Sequence, residues 1–149
     1  MKKDSNPREL FLIILLIFIL GFSLNFIWES FHAIFLYTCC QNMDAPSFVR
    51  LISYASFIDA LVISIMYIAI SLFSGFSWIN KPNKRNLLIF LLLGLIIAIW
   101  IEYRGVYLLK KWSYSFLMPQ IFGIGLSPLV QLVITGLIAL WIVRKITLE

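Results

Sequence analysis

Three carboxylates, Glu29, Asp59 and Glu102, interrupt stretches of chain otherwise built from Leu, Ile, Phe and Val. An acidic side chain at mid-membrane costs ~2.5–3.5 kcal/mol on insertion scales, so one found there points to a working site. Carboxylates gathered in a water-poor bundle share protons, and at least one of the three is expected to be neutral at pH 7. A neutral carboxylic acid facing an apolar substrate is suited to protonating an alkene, an epoxide or a similar group. Asn25, Gln131, Tyr107 and Tyr114 are candidates to orient that substrate. Trp28, Trp100 and Trp112 offer ring faces that stabilise a cationic intermediate. The reaction class expected is cyclase- or isomerase-like, on an isoprenoid or other membrane lipid, without a cofactor.

Two other readings stay open. Proton-coupled carriers also place carboxylates in the membrane, with Arg104 or His32 as relays, although no inverted repeat is visible. Four helices make a narrow path unless the chain forms a homodimer. In a structural membrane subunit, the polar groups would only hydrogen-bond one another across helices. Glu29-x-x-His32 is the i, i+3 unit of carboxylate-bridged di-metal bundles, but it occurs once in a chain with a single His, so no metal is expected.

These residues must be positioned by membrane helices. The chain of 149 residues is 62% hydrophobic and 13% charged, which leaves too little polar surface to cover a soluble domain of this size. Four apolar runs, about 10–37, 51–73, 87–109 and 120–143, each exceed the ~20 residues that cross a bilayer. The expected architecture is all-α, a four-transmembrane-helix bundle forming one membrane domain. At ~1.5 Å per residue, Glu29 comes ~28 Å beyond Leu10, Asp59 ~12 Å into its helix and Glu102 ~22 Å along its own. With alternating directions, all three fall in one half of the bundle.

Each run also carries small and polar residues at i, i+4, i+8 spacing, the pattern that lets membrane helices approach closely. The lines are Gly21, Asn25, Glu29 and His32; Ser56, Asp59, Ala60 and Ser64; Gly94, Ala98, Glu102 and Gly105; and Ser127, Gln131, Thr135 and Ala139. The segment between the third and fourth runs holds Tyr107, Lys110, Lys111, Trp112, Tyr114 and Met118-Pro119. That composition makes an aromatic interfacial belt, and also a lid closed by Trp112, Tyr114 and Met118. Gly123-x-Gly125 follows no strand and belongs to no βαβ unit, so it is not a dinucleotide loop; Pro128 is expected in the first turn of helix four.

Lys2, Lys3, Arg8, Lys81, Lys84, Arg85, Arg144 and Lys145 fall on the side of the termini, against Arg50, Arg104, Lys110 and Lys111 on the other. Eight against four predicts a multi-pass cell-membrane protein with both termini cytoplasmic. The net charge of +5 suits anionic headgroups, and no nucleic-acid motif is present. Lys2, Lys3 and Arg8 ahead of Leu10–Leu20 resemble a signal peptide, but Asp4 and Glu9 dilute the charge and the apolar run continues to Tyr37, so cleavage is not expected. Adjacent Cys39 and Cys40 are expected as free thiols.

Asn25-x-x-Trp28-Glu29, followed by a later helical Asp, resembles the pattern of fungal integral-membrane terpene cyclases. Those are larger, with more helices, and use buried Glu and Asp side chains to protonate an epoxide; the resemblance implies that role for Glu29 and Asp59. More of the chain looks like a group of small four-helix prokaryotic membrane proteins. The shared pieces are Trp28-Glu29, Asp59, Glu102-Tyr103, Trp112-x-Tyr114-x-x-x-Met118-Pro119 and Gly125-Leu126-Ser127-Pro128-Leu129-x-Gln131. This chain has His32 where that group often has Gln, and Ile58 where Gly is usual; the first departure weakens a metal role for His32.

Overall fold

The structure, a computed structural model, describes residues 7–40 and 42–148. Lys2 and Lys3, which enter the orientation argument above, and Asp4, which enters the signal-peptide argument, lie outside them. Four long helices run up and down: α1 Pro7–Phe31, α2 Ala45–Ser74, α3 Lys84–Tyr103 and α4 Leu126–Leu148. α1 continues as a wide π turn over His32–Leu36, and α3 does the same over Arg104–Leu108. With those extensions the four spans are 30, 30, 25 and 23 residues long and apolar enough to cross a membrane. The chain is a multi-pass membrane protein of four helices.

Each helix packs on its two chain neighbours, α1 closing the ring against α4, while α2 and α4 meet little across the diagonal. The bundle axis is filled by Ile17, Ile63, Met66, Tyr67, Phe90 and Val143. Every line of small and polar residues identified above turns inward. Gly21, Asn25, Ser56, Ala60, Ser64, Gly94, Ala98, Glu102, Gly105, Gln131, Thr135 and Ala139 are all buried. Close approach explains the small ones: a Cβ on Gly21 would lie 3.5 Å from the Ala60 Cα, and one on Gly136 would press on the Phe90 ring at 2.7 Å. Between tightly packed membrane helices, dispersion replaces the hydrophobic effect as the attractive term.

The ends of the helices are set by caps that hydropathy does not report. α2 begins six residues before its apolar run because Asp44 accepts from Ser47 N at 3.2 Å and Pro46 occupies the first turn. α3 begins at Lys84 behind Asn83, which accepts from Asn86 N at 2.7 Å. The expectation that helix four starts near residue 120 is corrected. Gln120–Ile121 and Ile124–Gly125 pair as a small antiparallel hairpin, β1 and β2. Its turn puts Phe122 at φ 51° and Gly123 at φ 78° in the left-handed region, which a helix cannot include. Helix four starts at Leu126 and runs on through Arg144 and Lys145, with Pro128 in its first turn as expected.

Candidate functional site

Two polar clusters form at the end of the bundle where α1 and α3 stop. The first is built on one amide. The Gln131 Nε2 group of α4 donates toward Asn25 Oδ1 at 3.0 Å, Glu29 Oε1 at 2.7 Å and Asp59 Oδ2 at 3.0 Å. α1, α2 and α4 therefore meet at one nitrogen. Asn25 is held from below by its own Nδ2, which donates to Gly21 O at 2.8 Å, and Thr135 Oγ1 donates to its carbonyl at 3.2 Å. An amide nitrogen carries two hydrogens, and here three oxygens compete for them. The nitrogen also fills the space between Glu29 and Asp59 that a bridging cation would need. Among the described residues no three of His, Cys, Asp and Glu form a metal-holding group.

The second cluster centres on Glu102 of α3. Its Oε1 accepts from Tyr37 OH at 3.1 Å; its Oε2 accepts from Tyr114 OH at 2.6 Å and from Trp112 Nε1 at 3.4 Å. Both hydroxyls are pushed above the ordinary tyrosine value, first by burial and then by the carboxylate beside them, so they remain donors at neutral pH. Residues 109–119 reach this position by pairing with the end of α1. Tyr37 and Tyr114 form an antiparallel bridge, Thr38 N donates to Ser113 O at 3.0 Å, and Ser115 N donates to Leu36 O at 2.9 Å. The Trp112 indole lies against the Gly105 backbone, where a Cβ would project. Tyr37 stacks on Tyr114 and meets His32 edge-on at 5.6 Å, so it joins the two clusters.

His32 sits beside the first cluster and is 1% exposed. Its Nε2 accepts from the Trp28 indole N–H at 2.7 Å and lies 2.7 Å from Ser127 Oγ. An indole nitrogen can only donate, so Nε2 carries the lone pair and the ring proton sits on Nδ1. Among the described residues that Nδ1 has no hydrogen-bond partner, and it lies 3.9 Å from Glu29 Oε1.

The candidate residues thus separate. Asn25, Trp28, Glu29, His32, Asp59 and Gln131 gather around the amide, while Trp112 and Tyr114 of the loop before β1 converge on Glu102. Met118 is buried with its sulfur against Gly125, beneath the lid. Arg104 does not join them: it is exposed, and among the described residues no Lys or Arg pairs with any of the three carboxylates. Tyr107 is also outside, its hydroxyl donating to Gly123 O at 2.7 Å to tie the hairpin down. Trp100 is 58% exposed, so its ring faces lipid rather than a cation in the site. Tyr37 was not among the candidates; it lies beyond the π turn, an extended residue that bridges to Tyr114, and no spacing in the sequence signals it.

Two depressions flank the lid. One, of about 540 Å³, is lined by Ile34, Cys40, Met43, Ala45 and Phe48; the other, of about 440 Å³, runs under Lys110, Lys111 and Trp112 past Cys39. The free cysteines separate them. Burial pushes the Cys40 thiol up to about 12, with the Cys39 contact and the charge of nearby Glu29 adding to it. Comparison with protein-family models, with curated proteins and with solved structures returns no match for this chain.

Proposed function

We propose that the chain is an intramembrane enzyme in which Glu29 and Asp59 act as a general acid–base pair on an isoprenoid or other lipid. The observation that carries this reading is the meeting of two carboxyls at the one amide of Gln131. One proton held on the carboxyl pair relieves two like charges facing one another in a water-poor interior. Such a pair delivers a proton to one carbon or oxygen of a substrate and takes one back from another. An isomerisation or cyclisation therefore balances without a cofactor.

In this reading Glu102 has a different task from the one its position in the sequence suggests. Three donors already converge on its carboxyl, so it locks the lid over the acid pair. Trp28 and Tyr37 supply aromatic surface beside the reacting groups, and Asn25 with Gln131 orients them. The protein sits in the cell membrane with both termini cytoplasmic and the lid on the outer face.

A purely structural role for the clusters is the second reading, favoured by the complete pairing of Asn25, Thr135 and Gln131. Isosteric substitutions separate the two. Glu29→Gln and Asp59→Asn, expressed in a strain lacking the gene, are expected to accumulate at wild-type levels and to abolish a product peak in mass spectra of lipid extracts. Wild-type spectra from both variants would overturn the enzyme reading. Loss of folded protein from both would favour the structural one.

A further inference from the structure

The Nδ1–H of His32 is a buried donor with nothing to donate to among the described residues. The tautomer is fixed from the other side of the ring, by Trp28 Nε1–H on Nε2. An unmade hydrogen bond in a dry interior carries its full desolvation cost, and 3.9 Å from Nδ1 stands Glu29 Oε1. A hydrogen bond spans about 3 Å, so the two are too far apart to bond directly and close enough for one oxygen atom to bridge them. Glu29 keeps 17% of its side chain exposed, against 2% for His32, so the opening lies on the carboxyl side.

A recess lies near this point. Ala33, the residue after His32, packs with Cys40 and Ile52, and Phe48 packs on that cluster. Cys40 and Phe48 in turn line the depression of about 540 Å³, within the size range of small-molecule sites. Its remaining lining, Ile34, Met43 and Ala45, is uncharged and adaptable.

We propose that this site binds a lipid-soluble ligand bearing an acceptor oxygen, such as a ketone, with that oxygen between His32 Nδ1–H and the Glu29 carboxyl and the hydrocarbon tail in the recess past Cys40. His32 is then the residue that selects an oxygenated ligand over a plain hydrocarbon. The proposal deepens the acid–base reading by naming its substrate class, but binding is measured apart from turnover.

The chain has one histidine, so labelling with 15N-histidine gives a single imidazole to follow by NMR in detergent micelles. The probes are geranylacetone, an isoprenoid ketone, and the matching hydrocarbon without the carbonyl. The protein alone is expected to show a protonated Nδ1 and a lone-pair Nε2. The ketone is expected to shift the Nδ1 resonance saturably, and the hydrocarbon to leave it in place. His32→Gln retains an acceptor for Trp28 but loses the Nδ1–H. It is expected to weaken ketone affinity about tenfold while hydrocarbon affinity holds, one net hydrogen bond being worth about that factor. A proton on Nε2, equal shifts from both probes, or undiminished ketone binding by a folded His32→Gln protein would each overturn the proposal. If that variant fails to fold, the wild-type spectra decide alone. Ketone shifts alongside a lipid profile indifferent to Glu29→Gln would overturn the acid–base reading and leave this one standing; the reverse pattern would do the opposite.

Discussion

The amide of Gln131 and the carboxylate of Glu102 solve opposite problems a few side chains apart. At Glu102, three donors converge on one carboxyl, and the segments that supply them are held together by it. At Gln131, one donor group faces three acceptors, two of them carboxyls, with Thr135 as a further donor to Asn25. In the proposed reading, surplus donors make a latch and the facing carboxyls a proton store. The three buried acids of one bundle then diverge in role because of what surrounds each, not because of their own chemistry.

The sharpest way to break that contrast is to remove the store. Glu29→Gln and Asp59→Asn are each expected to cut product formation by about 10²–10⁴-fold, the usual worth of a positioned acid or base. Because the two act as one unit, the double variant is expected to be no slower than the slower single, by lipid mass spectrometry. Additive losses would mean that the pair does not share its proton.

The latch is tested by stability rather than turnover. Glu102→Ala strands the Tyr37 and Tyr114 hydroxyls and the Trp112 N–H. It is expected to cost about 3 kcal/mol, read as a lowered Tm in micelles and as faster proteolysis within residues 109–119. Wild-type melting would show that the lid is held by its backbone pairing alone.

A smaller effect is expected from Gly105→Ala, which pushes the Trp112 indole off its seat. Overpacking of this kind costs about 1–3 kcal/mol; Trp112 emission is expected to shift while Gln131 and its partners stay in place.

The smallest lies at the start of α2. Bonds from Ser47 hold the Asp44 carboxyl below its ordinary value of 3.8. A depressed carboxylate adds stability above its unfolded value, and that addition is lost as pH falls through the folded one. Melting of the wild type is therefore expected to decline below about pH 4 by more than melting of Asp44→Asn. Identical acid profiles would assign the whole acid response to other groups.

Much of this was legible in the sequence. The four apolar runs mark the four helices because a bilayer demands length and hydropathy together, and the i, i+4 lines of small and polar residues mark the faces that meet. Gln131 and Asn25 were legible as partners of the acids for the same reason. What hydropathy misses is whatever depends on backbone detail or distant pairing. The hairpin at 120–125 is as apolar as a helix, and only the positive φ of Phe122 and Gly123 sets it apart. The role of Tyr37 depends on meeting Tyr114, 77 positions away in sequence, and no local pattern carries that. Arg104, Tyr107 and Trp100 lie near Glu102 in sequence, yet each faces away from the acids, because adjacent positions on a helix point in different directions.

One further consequence follows from the lengths of the spans. At ~1.5 Å per residue the first two reach about 45 Å and the last two about 36 Å. α2 spends part of its length on the six residues ahead of its apolar run. α1, apolar from Leu10 to Tyr37, therefore carries most of the mismatch with the bilayer and must lean or stand proud among the headgroups. Thinning or thickening the membrane therefore loads the seam between α1 and α4, where Glu29 and Gln131 meet.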